Sequence, residues 1–98
     1  MKVYISIPMT GKDLAEQRLR AERLAEVIKE QGHEPVNPFD TPEPPKELSE
    51  SERYAYFMGE DIKRLILCDA IYLCDGWMFS KGCQAEYEIA RTYGLTIL

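Results

Sequence analysis

Cys83, Glu86, Tyr87 and Ala90 stand three and four residues apart, the spacing that gathers side chains on one face of a helix. That face should pack inward, so an ionisable Glu86 points along a buried stripe near the helix start. Burial raises a carboxyl pKa and a nearby helix N-terminus lowers it, which makes Glu86 a candidate for chemistry. A plainer reading puts it at the stripe edge, with its carboxylate reaching water. Ser80 and Gly82 open the same helix. A Ser cap followed by Gly leaves free backbone N–H groups, which form an anion site. Ser80 lies six residues before Glu86, roughly 9 Å along a helix, the scale of a sugar phosphate. Plain N-capping is the simpler job for Ser80. Asp61 and Asp69 make a second acidic pair. Asp61 falls between Met58 and Leu65 on a helix stripe, either as a site carboxyl or as a structural charge paired with Arg64 or Lys63. Asp69 stands at the entry to a strand, where it also serves to end a helix. Tyr4 alternates with Val3 and Ile5, as a core tyrosine with a bonded hydroxyl does.

The elements that must position these residues follow from periodicity. Residues 3–7 (VYISI) read as a buried strand that stops at Pro8, and a Pro-Met-Thr-Gly turn follows. Residues 12–31 read as a helix capped by Thr10 or Asp13, with Leu14, Ala21, Leu24, Ala25 and Ile28 on one face and Gly32 as its stop. Residues 33–37 form a short strand, at an edge because of Pro35. The proline-rich residues 38–48 form an extended loop of the kind used as a lid or an interface arm. Ser49 and Glu52 form a capping box, and a second helix runs to about residue 67. Its expected buried stripe is Tyr54, Met58, Ile62, Leu65 and Ile66. Tyr54, Tyr56 and Phe57 are a heavy aromatic load, part of it suited to a subunit contact. Residues 70–74 form a continuous apolar strand, Ser80 caps a third helix that ends at Tyr93 and Gly94, and residues 95–98 form a fourth strand. The order βαβαβαβ implies an α/β fold with a parallel sheet covered on both faces. Ligands bind at the carboxyl ends of such strands, which selects residues 6–11 and 75–80.

The 98 residues allow one domain, residues 1–98, with one core. The net charge of −5 is spread over both halves, with no basic patch for a nucleic-acid polymer. No apolar run spans a membrane, and the start turns polar too soon for a signal peptide. Cys68, Cys74 and Cys83 include no CxxC pair, so free thiols in a reducing cytoplasm are expected. His33 is the only histidine and is far from them along the chain, so no metal site presents itself. GxGxxG and P-loop motifs are absent. Ile89 stands where a Cys-x5-Arg phosphate loop starting at Cys83 needs arginine, and strand one lacks the acidic pair of a phospho-accepting receiver.

YISIPMTG (4–11), VNP (36–38), DIKRLILCDAIYLCDGW (61–77) and SKGCQAEYEIA (80–90) resemble the DUF4406 family. That family is related to the nucleoside 2-deoxyribosyltransferases and the 2′-deoxynucleoside 5′-phosphate N-hydrolases. The most specific part is S-x-G-x-x-x-E preceded by D-x7-D. The resemblance covers nearly the whole chain and implies a flavodoxin-like three-layer sandwich with strand order 2-1-3-4. It also implies that Glu86 is the nucleophile, that Tyr4 orients it, and that Asp69 serves the leaving base, with Asp61 beside the substrate. Ser80 and Gly82 would hold a 5′-phosphate, and Ser6, Pro8, Met9 and Gly11 would wrap the sugar or base. Asn37 would also contact the substrate, and Trp77 would stack on the base or anchor its loop. The chemistry would follow the retaining glycosidase pattern through a covalent glycosyl-enzyme. No cofactor or metal is implied.

The relatives usually have Gly where Ile7 stands, in the turn that approaches the ligand. They also work as homo-oligomers in which a partner's C-terminal segment completes each site, so a homodimer is expected. This sequence reaches Leu98 where that segment begins. Either residues 38–48 close the site, or activity is reduced or lost. A non-catalytic nucleotide-binding module and a purely structural phage or mobile-element protein are the rival readings.

Overall fold

Strand β1 (Lys2–Ser6) runs through the middle of the sheet, and its two-residue period divides the core in two. Val3, Ile5 and Ile7 point to one side, where they pack with Ala21 and Ile28 of helix α1 (Leu14–Glu30). Tyr4 points to the other side, into a cluster with Leu65 of α2 (Glu50–Ile66) and Ala90 of α3 (Lys81–Thr92). Strands β2 (Glu34–Val36), β3 (Ala70–Leu73) and β4 (Thr96–Ile97) complete a four-stranded parallel sheet in the order β2-β1-β3-β4. The α/β class and the strand order are those expected, with α1 on one face of the sheet and α2 and α3 on the other. This computed structural model describes every residue from Met1 to Leu98.

Local chemistry sets the helix boundaries. Asp13, rather than Thr10, caps α1: its Oδ1 accepts from the backbone N–H groups of Ala15 and Glu16 at 3.0 and 3.2 Å. Ser49 and Glu52 form the expected reciprocal capping box on α2. Ser80 caps α3, its Oγ accepting from the Cys83 N–H at 3.3 Å. Cys68, Cys74 and Cys83 are free and buried. Burial pushes all three thiols above their ordinary range, Cys74 to about 11, so none is poised as a thiolate.

Three details depart from the sequence-based expectation. The loop after β2 is not uniformly extended, since Pro38–Asp40 forms a 3-10 turn capped by Asn37, whose Oδ1 accepts from the Phe39 N–H at 3.0 Å. Of the expected α2 stripe only Leu65 is inaccessible, while Tyr54 is 50% and Ile66 43% exposed. The first half of α2 faces a cavity rather than the sheet, and Leu14 at the head of α1 does the same. Finally, β4 is a two-residue exposed edge with β3 as its only neighbour.

Leu65 is where α2 meets the sheet. Leu65→Ala is expected to lower unfolding stability by about 3 kcal/mol through lost burial and a cavity, read from urea denaturation. A loss below ~1 kcal/mol would mean that α2 does not depend on this contact.

Candidate active site

A cavity of about 490 Å³ opens at the carboxyl end of β1. Its walls are the turn after β1, the 3-10 turn after β2, the first half of α2 and the first turns of α3. Parallel strands leave this end of the sheet open, because each connection returns along a face of the sheet.

Glu86 lies in the wall of the cavity and is 5% exposed. The Tyr4 hydroxyl donates to its Oε2 at 2.7 Å and the Ser6 hydroxyl to its Oε1 at 2.8 Å. Both donors come from β1 and lie two residues apart, so the pleat presents them on one face. Each carboxylate oxygen keeps a second lone-pair position for something else. Burial is the main influence on this group and pushes its pKa up to about 7; the Tyr4 and Ser6 hydrogen bonds pull it back, and the Asp61 charge adds to the rise. Tyr4 itself is held well above its ordinary range, first by burial and then by the Glu86 charge, so it stays a donor.

Asp61 is the second buried carboxyl of the cavity. Burial pushes its pKa up to about 6, opposed by the Thr41 hydrogen bond, the Arg64 charge and the Tyr4 hydroxyl. Thr41 donates to Asp61 Oδ1 at 3.3 Å.

Of the residues singled out in the sequence, Tyr4, Met9, Gly11, Asp61, Ser80, Gly82 and Glu86 line this cavity, and Ser6 reaches it through Glu86. Gly82 brings α3 close to α2: a Cβ there would stand in ordinary contact, 3.5 Å from Met58 Sδ and 3.7 Å from the Tyr54 hydroxyl. Ser80 both caps α3 and faces the cavity, so its two readings are compatible.

Four residues lie elsewhere. Asp69 does not join Glu86: it is exposed at the amino end of β3, its carboxylate accepting from the Lys2 N–H at 2.8 Å, where it ties two strand ends together. Asp61 is the aspartate that shares the cavity with Glu86, because it sits on the α2 stripe four residues before Leu65. Trp77 packs on Tyr87 with ring centroids 4.9 Å apart and lines no part of the cavity, so it anchors its own turn. Asn37 caps the 3-10 turn and points away from the cavity. Pro8 shapes the turn from outside the cavity, its carbonyl accepting from Gln17 Nε2 at 2.6 Å.

Other lining residues were not foreseen. Tyr54, Phe57 and Met58 share the face of α2 that carries Asp61, and that charge on an apolar stripe was the available signal. Lys12, Arg18 and Arg53 bring three cations to a cavity whose anion binding was expected to rest on one helix end and a serine. Arg18 lies over the Phe39 ring at 5.0 Å, and Arg53 pairs with Glu43 at 3.1 Å. Nothing in the spacing of these cations sets them apart from solvated helix charges.

Solved structures with the same architecture include the 2-deoxyribosyltransferase of Bacillus psychrosaccharolyticus, with a TM-score of 0.74 and 18% identity over 99% of this chain and 69% of that one. The 2-deoxyribosyltransferase of Leishmania mexicana has a TM-score of 0.69 and 17% identity over 99% of this chain and 61% of its own. A CMP N-glycosidase of Clostridium botulinum has a TM-score of 0.60 and 20% identity, covering 99% and 66%. These likenesses are in fold. No curated protein sequence matches the chain. Residues 1–98 match the family described as a domain of unknown function, DUF4406, and the chain therefore belongs to that family.

Proposed function

We propose that the protein breaks the N-glycosidic bond of a (deoxy)nucleoside 5′-monophosphate or related nucleotide, by hydrolysis or by transfer to a second base. The observation that carries this reading is the Glu86 carboxylate, held on both oxygens by Tyr4 and Ser6 in a cavity wall. The fold shared with deoxyribosyltransferases and a CMP N-glycosidase supports it.

In the first step a Glu86 oxygen bonds to C1′ while the C1′–N bond breaks, and the base leaves with the bonding pair. Asp61 gives the departing base a proton. In the second step water, or the nitrogen of another base, attacks C1′ and displaces Glu86, and Asp61 takes the proton back. A carboxyl with a pKa near 6 suits both transfers at neutral pH. The start of α3 and the cations Lys12, Arg18 and Arg53 favour an anionic substrate. A homodimer in the cytoplasm belongs to the same reading. It is supported by the free thiols and by Met78 and Phe79, which stand exposed just before Ser80.

Chromatography of nucleoside monophosphates incubated with the protein is expected to show free base. Glu86→Ala should cut its release by ~10³-fold or more. Asp69→Ala should leave release within about two-fold, since its carboxylate serves β1 and β3 rather than the cavity. Release that survives Glu86→Ala would refute the nucleophile.

The raised pKa of Glu86 also has a cost in stability. Below about pH 4.5 both folded and unfolded chains hold its proton. As pH rises toward 7 the unfolded chain loses that proton first, so native stability falls through this window by an amount on the order of 3 kcal/mol. Glu86→Gln removes the titration, so its stability advantage over the wild type should be larger at pH 8 than at pH 5 in chemical denaturation. An advantage that does not change with pH would show that Glu86 is not a buried ionisable group.

A further inference from the structure

Arg64 lies one turn after Asp61 on α2, yet it forms no ion pair with it within 4.0 Å. Its guanidinium donates elsewhere. Nη1 donates to the Thr41 hydroxyl oxygen at 2.7 Å and Nη2 to the Asn37 carbonyl at 3.0 Å. These two acceptors bracket the 3-10 turn Pro38–Asp40, which carries Phe39 into the cavity wall.

The contact with Thr41 has a directional consequence. A hydroxyl has one hydrogen to donate. With a short charge-assisted bond from Arg64 entering its oxygen, the Thr41 hydrogen is turned toward Asp61 Oδ1, 3.3 Å away. Without Arg64 the same hydroxyl is free to rotate and accept instead. Around Asp61, Tyr4 approaches from β1, Glu86 from α3 and Thr41 from the loop, while Glu60 and Arg64 belong to α2 itself. Arg64 is the one cation in that set.

We propose that Arg64 is a positioning residue for the reaction: it locks Thr41 as a hydrogen-bond donor to Asp61 and pins residues 37–41 against the cavity. The Asp61 carboxyl is thereby aimed and stays able both to give and to take a proton. This rests on the reading of Asp61 as the acid–base group. Arg64 lines no part of the cavity and makes no contact with Glu86; it acts through Thr41, the loop and its charge near Asp61.

The test is a carbon-13 NMR titration of the Asp61 side-chain carboxyl in the free protein, which requires no turnover. Thr41→Val and Arg64→Gln are each expected to raise its midpoint by roughly one pH unit, since both remove support for the charged form. Thr41→Ser, which keeps the hydroxyl, should leave the midpoint in place. The double variant should raise the midpoint by less than the sum of the two single shifts, because part of the Arg64 effect passes through that hydroxyl and only its direct charge effect remains when the hydroxyl is gone. A midpoint unmoved in Thr41→Val, or a double-variant shift equal to the full sum of the two single shifts, would overturn the proposal. In the base-release assay the same variants should move the pH profile of kcat/KM, with Thr41→Ser restoring it. If the titration shifts as expected and no base is released by any form, the reaction proposed above is wrong while the positioning contact stands.

Discussion

A carboxylate taken out of water must find donors, and the structure is arranged around the two that Glu86 finds. Its oxygens accept from Tyr4 and Ser6 at 2.7 and 2.8 Å. An unpartnered buried carboxylate would cost several kcal/mol, so β1 and α3 must meet in one register. The partnership is incomplete. Two neutral hydroxyls offset part of the desolvation and no cation touches the group, which leaves its pKa near 7 in the wall of the cavity. A structural carboxylate would gain from an arginine at this point. A nucleophile is better served by its absence, because a bound cation would occupy the lone pairs that attack.

Charge is divided within the cavity in the same sense. Asp61 and Glu86 lie buried in its wall, while Lys12, Arg18 and Arg53 contribute from helices α1 and α2. A chain with net charge −5 repels anions as a whole, yet Lys12, Arg18 and the start of α3 bring positive groups to one part of a cavity in which Arg53 is paired with Glu43. The proposed substrate would set its sugar carbon beside the carboxylates and its phosphate beside Lys12 and Arg18.

Much of this was legible in the residues. Alternation in VYISI placed Tyr4 and Ser6 on one face, and the three-and-four spacing in α3 placed Glu86 inward. The parallel α/β class followed from short strands joined by helical crossovers, and the strand order from the family resemblance. What was not legible depends on tertiary position. Asp61 and Asp69 are alike in sequence, and only the point at which α2 leaves the sheet decides that Asp61 shares the cavity with Glu86 while Asp69 holds a strand end. Tyr54 and Met58 carry a core pattern because a cavity wall and a core wall are both apolar. Thr41 lies in a proline-rich loop with no periodicity at all, and Trp77 resembles a base-stacking residue until Tyr87 is seen to cover it.

The assignment of Glu86 is tested most directly by capturing the intermediate. A nucleotide with fluorine at C2′ slows both steps by destabilising the positive charge that develops at C1′, so the ester accumulates when the base is a good leaving group. Intact-mass spectrometry followed by peptide mapping should show one added sugar phosphate per chain, on the peptide that contains Glu86, and none in Glu86→Gln. Base released without any adduct, or an adduct carried by another residue, would contradict a glycosyl-Glu86 intermediate.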